Sequence, residues 1–214
     1  MLGLPKATEM NRPLPKKAIF DKFKPNAADR QQFDTDIRRL AIVGEISTTT
    51  TNIAEGDTVK SFYVVLVNLR TAACDKKNLR LLSRLIEQNM LFVLEHDSMA
   101  RLAVFRAGMV VESGEKPLND WRISLTGLNF DSVWDNIIIQ IGGVTVAEGN
   151  TLDEQLAADE ECAKLNRRID QLEKQARSEK QPRRKWELAE EVKKLKTAMK
   201  SFDFCNSGGE TNAC

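Results

Sequence analysis

Residues 179–188 read EKQPRRKWEL, a single proline, Pro182, set among the cations Lys180, Arg183, Arg184 and Lys185, with Trp186 beside them. The stretch separates two segments of the same texture. Upstream, Cys162, Leu165, Ile169, Leu172 and Ala176 recur at alternating three- and four-residue steps, and downstream Leu188, Val192, Leu195, Met199 and Phe202 do the same. Each set is the apolar seam of a heptad helix. At 1.5 Å per residue, helices of roughly 28 and 20 residues would run about 42 and 30 Å. Proline removes a hydrogen bond inside a helix but is tolerated in a first turn, where its missing N–H has no partner to lose. An antiparallel helical hairpin over residues 151–202 is therefore predicted, with its tip at residues 179–184, seam against seam and cations in water. Such seams also pair between chains, so a coiled-coil homodimer stays open. The polar tail, residues 203–214, is expected to be flexible.

Ahead of the hairpin, residues 1–147 carry the pattern of one α+β domain. The start is proline-rich, and its cations Lys6, Arg12, Lys16, Lys17, Lys22 and Lys24 outnumber Glu9 and Asp21. Prolines so close together forbid a continuous helix, so residues 1–15 are expected as an extended basic arm. A short helix from Ala18 groups Ile19, Phe20 and Phe23; a second, after Pro25 and an Asn26 cap, runs to Asp36. RRLAIVGEIS at 38–47 is a β-type run, and FYVVLVNL at 62–69, apolar on both faces, is a central strand. A threonine-rich connector joins them. A helix follows an Asp75 cap, with Leu79, Leu82, Leu85 and Ile86 on one side. MLFVLEHDSMARLAVFRAGMVVE at 90–112 reads as a strand meander turning at Glu95–Ser98 and near Gly108. Ile123 and Leu125 alternate as in a strand, whereas Val133, Trp134, Ile137, Ile138 and Ile141 follow helical spacing from Asp131 to the Gly142–Gly143 stop. Irregular alternation of strands and helices favours a mainly antiparallel sheet with flanking helices over a doubly wound one.

Composition narrows function mostly by exclusion. A net charge of +1 supplies no global field for nucleic acid or acidic lipid, so any such role is local. The absence of an eighteen-residue apolar run or a signal-peptide core predicts a cytoplasmic protein without membrane contact. Cys74, Cys162, Cys205 and Cys214 are scattered without CxxC spacing, which predicts reduced thiols and no zinc site. Phosphate-loop, dinucleotide and nucleophile-elbow motifs are missing, so neither a cofactor nor a catalytic residue is assigned. Glu95, His96 and Asp97 would be a ligand or acid–base trio if they converged, but neighbours on a strand point apart, which leaves a polar turn unless a bulge intervenes. Glu112, Glu115 and Lys116 come nearest to a metal-dependent nuclease pattern, with the spacing of a charged turn. The remaining contact candidates are the tip, Lys180, Arg183, Arg184, Lys185 and Trp186, together with Lys16 and Lys17 of the arm. Clustered cations suit phosphates, and Trp186 suits stacking on a base.

LGLPKAT at 2–8, LPKKAIFDKF at 14–23, KNLRLLSRLIEQNMLFVLEHDSMARLAVFR at 77–106 and EKQPRRKWEL at the tip together resemble the bacterial family catalogued as domain of unknown function 4391. The resemblance runs from Leu2 to about Phe202 and rests on the order of the segments. It implies genomic neighbours such as SNF2-type helicases, DNA methyltransferases or restriction-like nucleases in phage-defence clusters. It also implies that the basic tip is a family pattern, and it carries no catalytic residues. The function expected is a non-catalytic accessory protein docking on a DNA-processing partner, with nucleic-acid contact through the tip as an added role. A small metal-dependent nuclease or hydrolase and a homodimeric scaffold are the alternatives.

Overall fold

Phe62–Leu69 (β3) lies inside a sheet, which is why both of its faces are apolar. The computed structural model describes the backbone of residues 2–206 and the side chains of residues 2–199. The chain divides between Val144 and Thr145 into two compact units. In the first unit, Glu9–Pro13 (β1), Ile37–Ile46 (β2), β3, Asn89–His96 (β4), Met99–Arg106 (β5) and Met109–Glu112 (β6) stand side by side in chain order. Lys116–Pro117 (β7) pairs with the start of β5. Among the described strands only β3 and β4 run parallel, and Lys76–Leu82 (α4) lies in the crossover that a parallel pair requires. The sheet is mainly antiparallel, as the irregular alternation of elements implied.

Each face of the sheet has its own cover. Val65 and Val67 of β3, with Phe92 and Leu94 of β4, meet Ile19 and Phe20 of Lys16–Phe23 (α1), Phe33 of Ala27–Asp36 (α2), and Leu79 and Leu82 of α4. On the other face Phe62 packs edge-on to Phe130 and at 5.1 Å from Trp134, both on Phe130–Gly142 (α5). The caps follow the sequence closely. Asn26 accepts from the Asp29 N–H, Asp75 accepts from the Lys77 N–H, and Gly143 closes α5 in the left-handed conformation.

Three expectations are corrected. Residues 9–13 are extended, but as the edge strand of the sheet and not as an arm; Leu2 is buried, and its carbonyl accepts from the Ile123 N–H. Pro13 is tolerated there because an edge strand has one unpaired side. The Ile123–Leu125 segment forms no strand, since α5 side chains take its backbone bonds: Gln140 bridges the N–H and carbonyl of Ser124, and Asn136 donates to the Thr126 carbonyl. The threonine connector contains a helical turn, Thr48–Thr51 (α3), closed by a Ser47–Thr50 capping box.

Asp131 does not cap α5, a role taken by Asn129. Its carboxylate reaches the loop before β3 and accepts the N–H groups of Val59, Thr58 and Asp57. Those donors, Val59 first, hold its carboxyl below the ordinary aspartate range. Gly56 permits the approach, because a Cβ there would stand 2.4 Å from the carboxylate.

The second unit is the predicted hairpin. Leu152–Ser178 (α6) and Pro182–Asn206 (α7) pack through Ile169, Leu172 and Val192, with Leu188, Leu195 and Met199 half-buried around them. Lys196–Glu173 at 2.7 Å and Arg168–Glu191 at 3.3 Å tie the helices across the seam. Cys162, Leu165 and Ala176 of the expected seam are half-buried, because two helices alone cannot enclose the flanks of a stripe. The Phe202 side chain and the tail beyond residue 206 lie outside what the structure describes.

Candidate functional site

Two places concentrate exposed chemistry, one in each unit. The first is the hairpin tip. Helix α6 stops at Ser178, the connection is only Glu179–Gln181, and Pro182 opens α7 as the first helical residue, where its ring fits. The Glu179 carboxylate accepts the Gln181 and Lys180 N–H groups, which fixes the turn. Those bonds, with the nearby Arg184 charge, hold its carboxyl below the usual glutamate range. Lys180, Arg183, Arg184, Lys185 and Trp186 are all exposed, Trp186 to 66%. Arg184 lies 3.7 Å from Glu179 and Arg183 lies 3.4 Å from Glu187. Four cations against these two carboxylates leave a surplus of two. The macrodipoles add little, since a helix C-terminus and a helix N-terminus meet at the same point.

The two arm lysines part company. Lys17 is exposed. The Lys16 ammonium is engaged within the fold, paired with Asp34 at 2.8 Å, donating to the Ile37 carbonyl and lying over the Phe33 ring. Lys16 thus pins α1 to α2 and offers no open cation.

The second place is a cleft of about 540 Å³ lined by Arg38, Arg39, Asn68, Leu69, Glu95, His96, Asp97 and Ser98. It lies at the carboxyl ends of the parallel pair β3 and β4. Arg39, Asn68 and Glu95 occupy one transverse row across β2, β3 and β4. Arg39 Nε donates to Asn68 Oδ1 at 3.4 Å, Asn68 Nδ2 donates to Glu95 Oε2, and the Ser98 N–H reaches Glu95 Oε1 at 3.4 Å. Between Ile37 and Arg39 the β2 register slips, so that Arg38 is an extra, bulged residue and both arginines line one cleft. Glu95, His96 and Asp97 also share the cleft, a convergence that strict alternation had argued against, because the strand ends there in a tight turn. His96 Nδ1 and Asp97 Oδ2 are 3.7 Å apart, too far for a hydrogen bond. Among the described residues no group of three or more His, Cys, Asp or Glu side chains is arranged to hold a metal ion.

That turn is strained. Asp97 and Ser98 both have positive φ, 50° and 67°, the two-residue hairpin geometry that glycine or asparagine adopts most readily. Ser98→Gly keeps the backbone bonds and removes the Cβ penalty, so chemical denaturation should show a gain of roughly 0.5–1 kcal/mol. In the Glu112 segment the charged side chains of Glu112 and Lys116 have partners within the fold. Glu112 pairs with Arg101 at 3.3 Å, and the Lys116 ammonium sits 3.8 Å from the Trp121 ring centre.

A family model described as Domain of unknown function (DUF4391) matches residues 2–199. The chain belongs to this family. No curated protein and no solved structure matches it. The family match spans both units, so the hairpin tip and the strand-end cleft both fall within it. Among the described residues no helix is long and apolar enough to cross a membrane.

The cleft residues that sequence reasoning missed are Arg38, Arg39, Asn68 and Ser98. One signal was available. Asn68 carries the single amide of β3, and a lone amide in a doubly buried strand needs a polar neighbour.

Proposed function

We propose that this DUF4391 chain is a non-catalytic accessory protein of a bacterial anti-phage defence system. It docks through its hairpin tip on a larger DNA-processing partner of the SNF2-type helicase, methyltransferase or nuclease class. One observation carries the reading: Trp186 stands two-thirds exposed among three exposed cations, Arg183, Arg184 and Lys185, at the end of a hairpin whose helices pack on each other through Ile169, Leu172 and Val192. An aromatic side chain flanked by guanidinium groups is the composition of an interface anchor.

The charge surplus sets the balance between partners. Neutralising about two phosphates makes affinity for DNA fall only as roughly the inverse square of the salt concentration. So small a net charge favours protein docking as the principal role, with contact with DNA supplementing it. The Arg184–Glu179 and Arg183–Glu187 pairs are exposed and easily exchanged for partner carboxylates. A variant carrying Arg183→Glu, Arg184→Glu and Lys185→Glu should fold normally and lose its protein partner in pull-downs from the native cells. Recovery of the same partner and the same DNA by that variant would remove the tip from the mechanism.

A further inference from the structure

We infer that the cleft at the ends of β3 and β4 binds a phosphorylated sugar, such as the ribose phosphate of a nucleotide. The cleft lies beyond the carboxyl ends of two parallel strands, the side of the sheet on which α/β proteins hold their ligands. Here it is the one place in the described sheet with that geometry, since every other pair of strands is antiparallel.

Several independent features of the backbone serve this cleft. The bulge at Arg38 turns two successive guanidinium groups to the same side. The turn opposite holds Ser98 at a positive φ of 67°, a conformation its side chain disfavours and a cost that proteins tend to accept where a site needs it. Between them, the Arg39–Asn68–Glu95 row sets a carboxylate in a fixed orientation.

The lining then defines the ligand. Among the described residues, Arg38 has no ion pair or hydrogen-bond partner, and Arg39 spends only Nε, so two planar forks are open to an anion. Such forks match phosphate oxygens two at a time. On the far side Glu95 and Asp97 accept hydrogen bonds, and His96 and Ser98 add further polar groups, which suits the hydroxyls of a sugar. Leu69 is the only apolar lining residue, and no Phe, Tyr or Trp is present to grip a base, the His96 imidazole being the one ring in the lining. The recognition is therefore of sugar and phosphate. A volume of about 540 Å³ is far more than an inorganic anion needs and falls within the range of small-molecule sites. The ligand's source is either a free sugar phosphate or nucleotide, or the phosphorylated end of a nucleic-acid strand, and both present the same chemistry.

Titration calorimetry on the full chain separates these cases, with ribose 5-phosphate, AMP, inorganic phosphate and a short 5′-phosphorylated DNA strand as probes. Saturable binding of ribose 5-phosphate or AMP is expected, weakened about tenfold or more by Arg38→Gln or Arg39→Gln, the loss of one charge-assisted fork. Glu95→Gln should weaken ribose 5-phosphate and leave any residual phosphate binding unchanged. If only the DNA strand binds, with the same dependence on both arginines, the inference stands with a strand end as the source. Both arginine side chains are exposed, so unchanged melting curves will confirm that these variants fold. The inference is overturned if no probe binds, or if inorganic phosphate binds as tightly as ribose 5-phosphate. Indifference to the arginine changes would also overturn it, as would loss of binding in the Arg183→Glu, Arg184→Glu, Lys185→Glu variant instead.

Discussion

Replacing Leu172 with aspartate is expected to melt the helical hairpin while the sheet stays folded. Leu172 is 1% exposed and is one of three side chains, with Ile169 and Val192, that are buried along the seam. Each enclosed aliphatic side chain contributes on the order of 2 kcal/mol through removal of apolar surface from water. Truncating a buried leucine costs about 2–5 kcal/mol, and a carboxylate at the same place adds the penalty of an unpaired buried charge. A seam closed by so few residues has no reserve against that loss. Propensity does not rescue it, because helices in water depend on tertiary packing for most of their stability. Hydrogen exchange read by mass spectrometry should show residues 160–199 losing protection in Leu172→Asp, while the β3–β5 peptides keep theirs. Leu172→Ala should show a smaller loss over the same peptides.

Asp36 governs the first unit in a different way. It closes α2 with a buried carboxylate that accepts from Gln32 Nε2 at 2.8 Å, Asn78 Nδ2 at 2.8 Å and the Asp75 N–H at 2.9 Å. The Asp36 carbonyl also accepts from the Arg70 N–H at the end of β3. One residue therefore joins the last turn of α2 to the first turn of α4, the helix of the only parallel crossover in the described sheet. Asp36→Ala leaves the Asp75 N–H and the buried Asn78 amide without an acceptor, at about 1–3 kcal/mol for each stranded donor. A destabilisation of roughly 3 kcal/mol is expected from urea unfolding. Asp36→Asn keeps one acceptor oxygen and should cost about half as much. An equal loss in both variants would mean that the carboxylate's charge, and not its pair of acceptors, holds the joint.

What the sequence disclosed depends on how local its signals are. The hairpin was legible because Ile169, Leu172, Leu188 and Val192 announce their common stripe by spacing alone, and because Pro182 fits only the start of a second helix. The central strand was legible from its two apolar faces, and the α2 and α4 caps from Asn26 and Asp75. The edge strand was not, since Glu9–Pro13 has no apolar alternation and gains its place from the free edge of β2. Lys16 looked like one more solvated cation because nothing in its neighbourhood reveals Asp34, eighteen residues away. The cleft was half visible. Glu95, His96 and Asp97 attracted attention as neighbours, but their convergence with Arg38, Arg39 and Asn68 arises from cross-strand register and from a one-residue bulge, neither of which is written in any single segment.

The claim that contacts run through the hairpin tip is tested most directly by a photocrosslinking amino acid placed at position 186 in the native cells. Leu128, which is 94% exposed in the other unit, serves as the comparison position. The account requires a covalent adduct of position 186 with a DNA-processing protein, reduced when Arg183, Arg184 and Lys185 are changed to glutamate, and none at 128. An adduct at 128 with none at 186 would contradict it.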